Sequence, residues 1–131
     1  MRPNLVLALS LASSTLVGPA LAGASSDAGV TTTAGKDVRL GAYAVFRRDC
    51  TGGVAADVRP AGNHKGGVLV ISPGTLATTR VPNCGKVESP ARIIVYRPNP
   101  GFVGTEQVTY DVVDTTTGQS QTHVVSVNVT N

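Results

Sequence analysis

The chain of 131 residues is long enough for one domain that buries about two-thirds of the surface of its unfolded chain, and too short for a second large core. Hydrophobic residues make up 41% of the chain and aromatic residues only 4%, so the core must consist mainly of Val, Ala, Leu and Ile, a composition that favours strands. The formal net charge of +3 is too small to indicate a particular partner.

The first 22 residues differ from the rest of the chain. They carry one positive charge at Arg2, an apolar stretch that begins at Leu5, and an A-x-A cleavage sequence at residues 20–22. This is the pattern of a secretory signal peptide, so we predict export and cleavage before Gly23, with no membrane span in the mature chain. The alternative is an uncleaved anchor, but a span needs about 20 consecutive apolar residues, and Ser and Pro interrupt this segment.

The remainder of the chain has the pattern of strands. Residues 23–29 are small and polar and are predicted to be a flexible leader. From residue 30 to 131, apolar residues recur at every second position between Gly and Pro interruptions, which favours an all-β domain. The predicted strands are residues 31–33, 38–50, 54–58, 67–72, 92–97, 107–113 and 123–130. About seven strands fit an immunoglobulin-like antiparallel β-sandwich.

The strand at residues 38–50 suggests a binding surface. Its alternation predicts one face with Val38, Leu40, Ala42, Ala44 and Phe46, and an opposite face with Arg39, Tyr43 and Arg47. Together with Arg48, these last three residues are the candidate ligand-binding residues. They would recur about every 13 to 14 Å and could follow an anionic polymer such as a sulfated or phosphorylated glycan. The alternative is a solvated face whose long side chains cover neighbouring strands.

The two cysteines, Cys50 and Cys84, are consistent with export to an oxidising compartment. An even number of cysteines in an exported chain predicts a disulfide, and closing this loop would stabilise the fold by roughly 3 to 4 kcal/mol. Their spacing does not match a C-x-x-C redox motif or a zinc site. Cys84 lies in residues 72–90, where three prolines and two glycines predict an irregular excursion that the disulfide attaches to the end of an earlier strand.

A corner is predicted where residues 96–118 read YRPNPGFVGTEQVTYDVVDTTTG. Pro98 and Pro100 cannot donate ladder hydrogen bonds, so the preceding strand must end there. The glycines that follow allow a compact corner that points Phe102 into the end of the core. Tyr110 suits a tyrosine corner, with a buried ring and a hydroxyl that bonds to upstream backbone.

This segment carries a family resemblance. The residues follow the pattern Y-x-P-x-x-G-F-x-G-T-[DE]-x-x-x-Y-x-V-x-D, then a glycine turn and a final V-x-V strand, and GGVLVIS precedes them at residues 66–72. The chain resembles the C-terminal half of bacterial immunoglobulin-like and cadherin-like modules over residues 66–131, with an insertion between residues 72 and 91. The resemblance implies a β-sandwich of the kind that serves as a spacer or adhesive unit in secreted and surface proteins.

Some modules of this kind bind calcium between tandem repeats. This chain holds one copy, and it has Glu106 where Asp is usual. The acids of the matching half, Glu106, Asp111 and Asp114, are separated in sequence and are a poor cage for an ion that takes six to eight oxygen ligands. We therefore predict no cofactor and no metal site.

Catalysis is not predicted. His64 lies in a turn-like segment and is expected to be exposed, and His123 is expected to close the edge of the core. The chain has no G-x-S-x-G, H-E-x-x-H, P-loop or dinucleotide motif. The sequence leaves open a Ser-His-Asp arrangement that converges from distant positions.

The function predicted from the sequence is binding. We expect an exported, non-catalytic binding or adhesion module, secreted or periplasmic, that contacts an anionic glycan or a surface protein. The alternative is a small secreted inhibitor or effector that acts through residues 72–90. Nucleic acid is not an expected partner, because the chain is exported and its basic residues lack interleaved aromatics. The sequence leaves the oligomeric state open.

Overall fold

Two sheets that face each other form the structure, a computed structural model that describes residues 5–9, 25–26 and 29–131. The strands of these residues are β1 Leu5–Leu9, β2 Ser25–Ser26, β3 Val30–Thr33, β4 Val38–Phe46, β5 Gly53–Ala55, β6 Asp57–Ala61, β7 Gly67–Thr78, β8 Val87–Pro98, β9 Gly104–Val113 and β10 Ser120–Thr130. The first sheet has the order β1-β4-β8-β7, with β5 also on β4; the second has the order β2-β10-β9-β6, with β3 also on β10. The predicted all-β sandwich is confirmed.

Most strand pairs are antiparallel. The exceptions are β2 and β3, which run parallel to β10. The described part of the chain contains no helix of the length and hydropathy that a membrane crossing requires.

The N-terminal predictions fall mainly outside the described residues. Within the predicted signal peptide, residues 5–9 pair with β4, and its cleavage stays a prediction. Within the predicted leader, the structure describes residues 25–26, which pair with β10, and residue 29.

The main core lies between the two sheets. It combines aliphatic side chains with all three tyrosines of the chain, each with at most 1% of its surface exposed. The buried members are Leu40, Tyr43, Val45, Ala56, Val58, Ile94, Tyr96, Val108, Tyr110, Val112, Val125, Val127 and Val129. The inward positions predicted for the last two strands are confirmed, because strict alternation along β9 and β10 continues without interruption.

A β-bulge in β4 reverses the predicted alternation. The pairing with β8 shifts between Arg39 and Gly41, so Leu40 is an extra residue without a partner on β8. After the bulge, Tyr43 and Val45 join the main core. The prediction that Val38, Leu40, Ala42, Ala44 and Phe46 share one face is therefore wrong, because one inserted residue reverses the side of every residue after it.

The predicted strand at residues 54–58 is in fact two strands in different sheets. β5 pairs with β4, whereas β6 pairs with β9. Between them, Ala56 is buried with 1% of its surface exposed. The chain thus passes from one sheet to the other through a single small core residue.

Residues 72–90 form a regular hairpin, and the prediction of an irregular excursion is wrong. β7 and β8 pair continuously from Gly67 opposite Pro98 to Thr78 opposite Val87. Pro73 is tolerated because β7 is the outermost strand of its sheet, so one of its edges needs no hydrogen-bond donors. Pro73 therefore lies within an edge strand and does not mark the end of that strand.

This hairpin encloses a second, smaller set of buried side chains, which we name the outer cluster. It consists of Ala42, Ala44, Phe46, Leu76, Val81, Val87 and Ala91, with Cys84 and Ile93 packed against it. Because β4 alternates after its bulge, it supplies Tyr43 and Val45 to the main core and three residues to the outer cluster. The same strand therefore links both apolar regions.

The corner after β8 is compact, as predicted. The amide of Asn99 donates to the carbonyl of Gly66 at 2.8 Å, and the amide of Phe102 donates to the carbonyl of Asn99 at 3.1 Å. The Phe102 ring packs against the main core. A Cβ atom at Gly66 would lie 2.6 Å from that ring, so glycine is required for this approach.

Candidate binding surface

The four candidate binding residues do not form one surface. Arg39, Arg47 and Arg48 are exposed, but Tyr43 has 1% of its surface exposed. The prediction that Tyr43 shares an exposed face with the arginines is corrected, because the bulge turns its side chain into the main core. Arg39 lies before the bulge and Arg47 follows the end of β4, about 25 Å away at the rise of an extended strand.

Tyr43 belongs to a buried aromatic group that joins the two sheets. Its hydroxyl lies 2.7 Å from the hydroxyl of Tyr110. The His123 ring stacks on Tyr110 with centroids 5.5 Å apart and lies 5.1 Å from the Tyr43 ring. The burial of Tyr110 is confirmed, but the residue lies in the middle of β9, where its hydroxyl reaches across the sandwich to Tyr43. A Cβ atom at Gly41 would lie 2.9 Å from the Tyr43 hydroxyl, so this arrangement needs glycine there.

The two arginines after β4 lie in a loop that a disulfide joins to the hairpin. Cys50 and Cys84 are bonded, as predicted, with Cα atoms 5.5 Å apart. The Sγ atom of Cys84 lies 3.8 Å from the carbonyl oxygen of Arg48. We call residues 47–52 and 79–86 together the disulfide-linked end.

The disulfide-linked end carries more positive than negative charge. Its exposed cations are Arg47, Arg48, Arg80 and Lys86, and its acid is Asp49. Glu88 follows directly on β8, where its Oε1 atom lies 3.8 Å from the Lys86 Nζ atom. Even with both acids counted, the cations of two loops that are remote in sequence outnumber the anions.

Local hydrogen bonds fix the shape of the loop after β4. Thr51 donates to the Asp49 carboxylate from its hydroxyl at 2.6 Å and from its amide at 3.2 Å. These bonds, with a smaller contribution from Arg47, hold the pKa of Asp49 below its usual value. The amide of Arg47 donates to the carbonyl of Gly52 at 3.0 Å. The Asp49 carboxylate therefore accepts hydrogen bonds from its own loop.

A shallow depression of about 250 Å³ lies on the hairpin side of this surface. It is lined by Ala77, Thr78, Thr79, Arg80 and Lys86. The amide of Arg80 donates to the Thr78 hydroxyl at 3.1 Å, which fixes the backbone at the end of β7. The lining thus combines two cationic side chains with two hydroxyl groups, which are donors suited to an anionic group.

The family of the chain follows from its sequence and agrees with this fold. A family model described as the bacterial Ig domain matches residues 24–129. The chain belongs to the bacterial Ig domain family. No curated protein and no solved structure matches it. Bacterial Ig domains are generally binding modules without enzymatic activity, typically extracellular or associated with a surface.

In this bacterial Ig domain, the three acids considered for calcium have structural partners. Glu106 accepts hydrogen bonds from the Tyr96 hydroxyl at 2.5 Å and from the Gly66 amide at 2.9 Å. Asp111 accepts one from the Thr122 hydroxyl at 2.6 Å. Residues 5–9, 25–26 and 29–131 contain no group of three or more His, Cys, Asp or Glu side chains that could hold a metal ion.

Asp114, the third acid, organises the turn between β9 and β10. It accepts hydrogen bonds from the Thr116 hydroxyl at 2.5 Å, the Thr116 amide at 2.8 Å and the Thr117 amide at 3.3 Å. Burial raises the pKa of Asp114, but these hydrogen bonds outweigh burial, and the net effect lowers the pKa. The carboxylate therefore acts as the cap of a hairpin turn.

The role of Glu106 in the bacterial Ig domain was missed in the sequence. It lies on β9 of the second sheet and binds Tyr96 on β8 of the first, so it connects the sheets at one end of the sandwich. Burial raises the pKa of Tyr96, and the hydrogen bond to Glu106 raises it further. The available signal was the family pattern itself, which contains this tyrosine and this acid at a fixed spacing.

Proposed function

We propose that this bacterial Ig domain is an exported, non-catalytic binding module that contacts an anionic glycan or an acidic surface protein through its disulfide-linked end. The observation that carries the proposal is the convergence of cations from two loops, 47–52 and 79–86, onto one covalently linked surface. Either loop alone would present a short basic segment. The disulfide joins them into a larger surface of defined shape.

The charge distribution supports this choice of surface. Residues 36–97 contain ten Lys and Arg residues against four acids, whereas residues 98–131 contain three acids and no Lys or Arg. The ion pairs of the described residues engage Arg59, Lys86 and Arg97. Arg47, Arg48 and Arg80 are in none of these pairs, so they retain donors for an anionic partner.

The rigidity of the disulfide-linked end also supports binding. The loop after β4 is held by the bonds of Thr51 to Asp49, and the tip of the hairpin is held by Cys84. A surface that is ordered before association loses less conformational freedom when a ligand binds. A modest number of exposed charges can then give measurable affinity.

The test is retention on envelope fractions and on an immobilised sulfated glycan at increasing salt. We expect retention to fall with salt and to weaken about tenfold in the variant Arg47→Ala, Arg48→Ala, Arg80→Ala. Three exposed contacts of about 0.5 kcal/mol each give this factor. Retention that is unchanged by salt and by the triple variant contradicts the proposal.

A matched control removes three other exposed cations. Arg39, Arg59 and Lys65 are exposed and lie outside the disulfide-linked end. Changing all three to Ala lowers the net charge by the same amount. Equal losses in both triple variants would show that overall charge, and not this surface, causes retention.

A second candidate function is a secreted inhibitor or effector that inserts the β7–β8 hairpin into a target protein. The regular pairing of the hairpin as far as Thr78 and Val87 favours it, because a segment that is ordered before association loses less conformational freedom on insertion. Here, replacement of residues 79–86 by a short turn would abolish the effect on a target enzyme. Under the first proposal, the same replacement would lower glycan retention and leave enzymes unaffected.

Export and cleavage of the signal peptide can be tested by mass spectrometry. Intact mass of the chain recovered from the periplasm or medium should correspond to a protein that begins at Gly23. Recovery with residues 1–22 retained would contradict this part of the proposal.

A further inference from the structure

The observation that leads furthest is the strand that covers one edge of β4. β1 pairs with residues 42–46, from Leu5 opposite Phe46 to Leu9 opposite Ala42. β5 pairs with residues 44–46 of the same strand, and β8 with residues 38–43. Because a strand has two edges, β1 must lie on the edge opposite β5 and β8. It closes an edge that nothing else in the described residues pairs with.

The covering strand belongs to the predicted signal peptide. Removal of residues 1–22 would therefore uncover backbone donors and acceptors along residues 42–46. The described members of the main core and of the outer cluster, from Val30 onward, all remain in the chain after cleavage. The disulfide also lies entirely within the remaining chain. The mature domain should therefore fold with this edge open.

The uncovered residues 42–46 lack two of the usual protections against pairing, a charged residue and a proline. Residues 40–46 read LGAYAVF, with no charge and no proline. The two strands at the far ends of the sheets differ, since β7 contains Pro73 and β6 contains Arg59 and Pro60. Charged residues and prolines are the devices by which proteins prevent an edge from adding another strand.

We infer that the β4 edge of the mature domain is an assembly surface that pairs with β4 of a second copy. Antiparallel pairing about a two-fold axis at Ala44 places Ala42 opposite Phe46 and Tyr43 opposite Val45. Residues that face each other then lie on the same side of the sheet, as the alternation of an antiparallel pair requires. The ladder has the length and direction of the one that β1 forms in the structure.

The chemistry of the edge fits a copy of itself. Residues 42–46 are uncharged in both copies, so no like charges face each other along the ladder. Arg47 lies one residue beyond it, and in this register it falls opposite Gly41 of the second copy, not opposite another arginine. A five-residue ladder is a small interface, so we expect dissociation in the micromolar range.

The first test measures the mass of the exported domain, residues 23–131, by sedimentation across the micromolar range. We expect twice the monomer mass at high concentration. The peptide PNLVLALSL, residues 3–11, should return the protein to the monomer mass by occupying the edge. In the same peptide with both Val6→Pro and Leu7→Pro, one of the two lost amides must face β4, so this peptide should have no effect. A monomer throughout, or a dimer unaffected by the first peptide, overturns the inference.

The second test locates the dimer contact. In the inferred pairing, the two Ala44 residues face each other at a Cα separation that a disulfide can bridge, so Ala44→Cys should give a covalent dimer. Ala55→Cys is the control, since Ala55 pairs with the opposite edge of β4 and should not cross-link. A covalent dimer from the control alone overturns the inference. If Ala44→Cys fails to fold, the peptide experiment on the unaltered sequence decides. Neither test depends on Arg47, Arg48 or Arg80, so failure here is separate from failure of the proposed binding function.

Discussion

Glu106 shows how one polar side chain can connect the two sheets of a sandwich at one end. Its two carboxylate oxygens accept from different parts of the chain, the Tyr96 hydroxyl on β8 and the Gly66 amide before β7. Tyr96 is completely buried, so its hydroxyl requires an acceptor inside the protein. The glycine that supplies the amide also makes room for Phe102. Together, these contacts give physical roles to the Tyr, the Phe and the acid of the family pattern and to Gly66, which precedes the pattern.

The first prediction concerns this residue. We expect Glu106→Ala to lower the free energy of unfolding by about 2 to 3 kcal/mol, because a buried hydroxyl and a backbone amide both lose a charged acceptor. Glu106→Gln should lose less, since its amide oxygen can still accept one of the two bonds. The measurement is denaturant unfolding at pH 7, followed by tyrosine fluorescence.

Glu88→Ala is the matched control for Glu106→Ala. Glu88 is also a strand glutamate, but its contact with Lys86 is an exposed ion pair. We expect a change within about 0.5 kcal/mol. Similar losses at both positions would show that Glu106 is not a special connection between the sheets.

At the scale of the elements, the sequence predicts regular strands well and local insertions poorly. In β9 and β10, the alternation of apolar residues predicts the buried positions correctly, because each strand keeps one face on the main core throughout. In β4, one extra residue at Leu40 moved Tyr43 from the predicted surface into the core. Alternation cannot locate such a bulge, because both faces of the strand remain apolar after it. The one sequence signal for the bulge is Gly41, since a glycine inside a strand often marks a bulge.

The hairpin was missed for a different reason. The prolines of residues 72–90 predict an early end of β7, but proline restricts only the edge of a strand that needs donors, and β7 is the outermost strand of its sheet. The position of a strand in its sheet depends on contacts that are distant in sequence. The outer cluster was missed with it, because Leu76 and Val87 contact β4 only when the hairpin is formed.

The second prediction concerns the turn between β9 and β10. The pKa of Asp114 is lowered from 3.8 in the folded protein, so its contribution to stability is present above that value and is lost as the pH falls through the lower folded pKa. We expect the free energy of unfolding to decrease below about pH 4, and Asp114→Asn to flatten this decrease because Asn does not titrate.

Variants at Asp114 separate charge from hydrogen bonding. At pH 7, Asn still offers the oxygen that accepts from Thr116 and Thr117 but lacks the charge, so Asp114→Asn should lower stability by about the amount that the wild type loses when Asp114 is protonated in acid. Asp114→Ala removes the acceptor and should cost about 1 to 3 kcal/mol. Denaturant unfolding between pH 2 and pH 7 measures both effects. An acid decrease of unchanged steepness in Asp114→Asn would show that other groups cause it.

The whole molecule divides into a main core that carries the fold and an outer cluster that supports the candidate surface. The main core is closed by strands of both sheets, whereas the outer cluster lies under one hairpin and beside the disulfide. Function placed at the disulfide-linked end can therefore change without loss of the sandwich. The sequence predicted the disulfide but not this division, since the division depends on the hairpin and the bulge.

The third prediction follows from this division. Replacing both cysteines, Cys50→Ser with Cys84→Ser, should lower the free energy of unfolding by about 4 kcal/mol, because opening a loop with a separation of 34 residues frees the unfolded chain. The main core contains no atom of either cysteine, so the variant should still fold. Hydrogen exchange should show loss of protection around residues 79–87, while β9 and β10 keep theirs. If protection fell equally in β9 and β10, the two apolar regions would be one cooperative unit. If it fell only around the hairpin, any loss of glycan retention in the same variant could be assigned to disorder of the surface and not to loss of the fold.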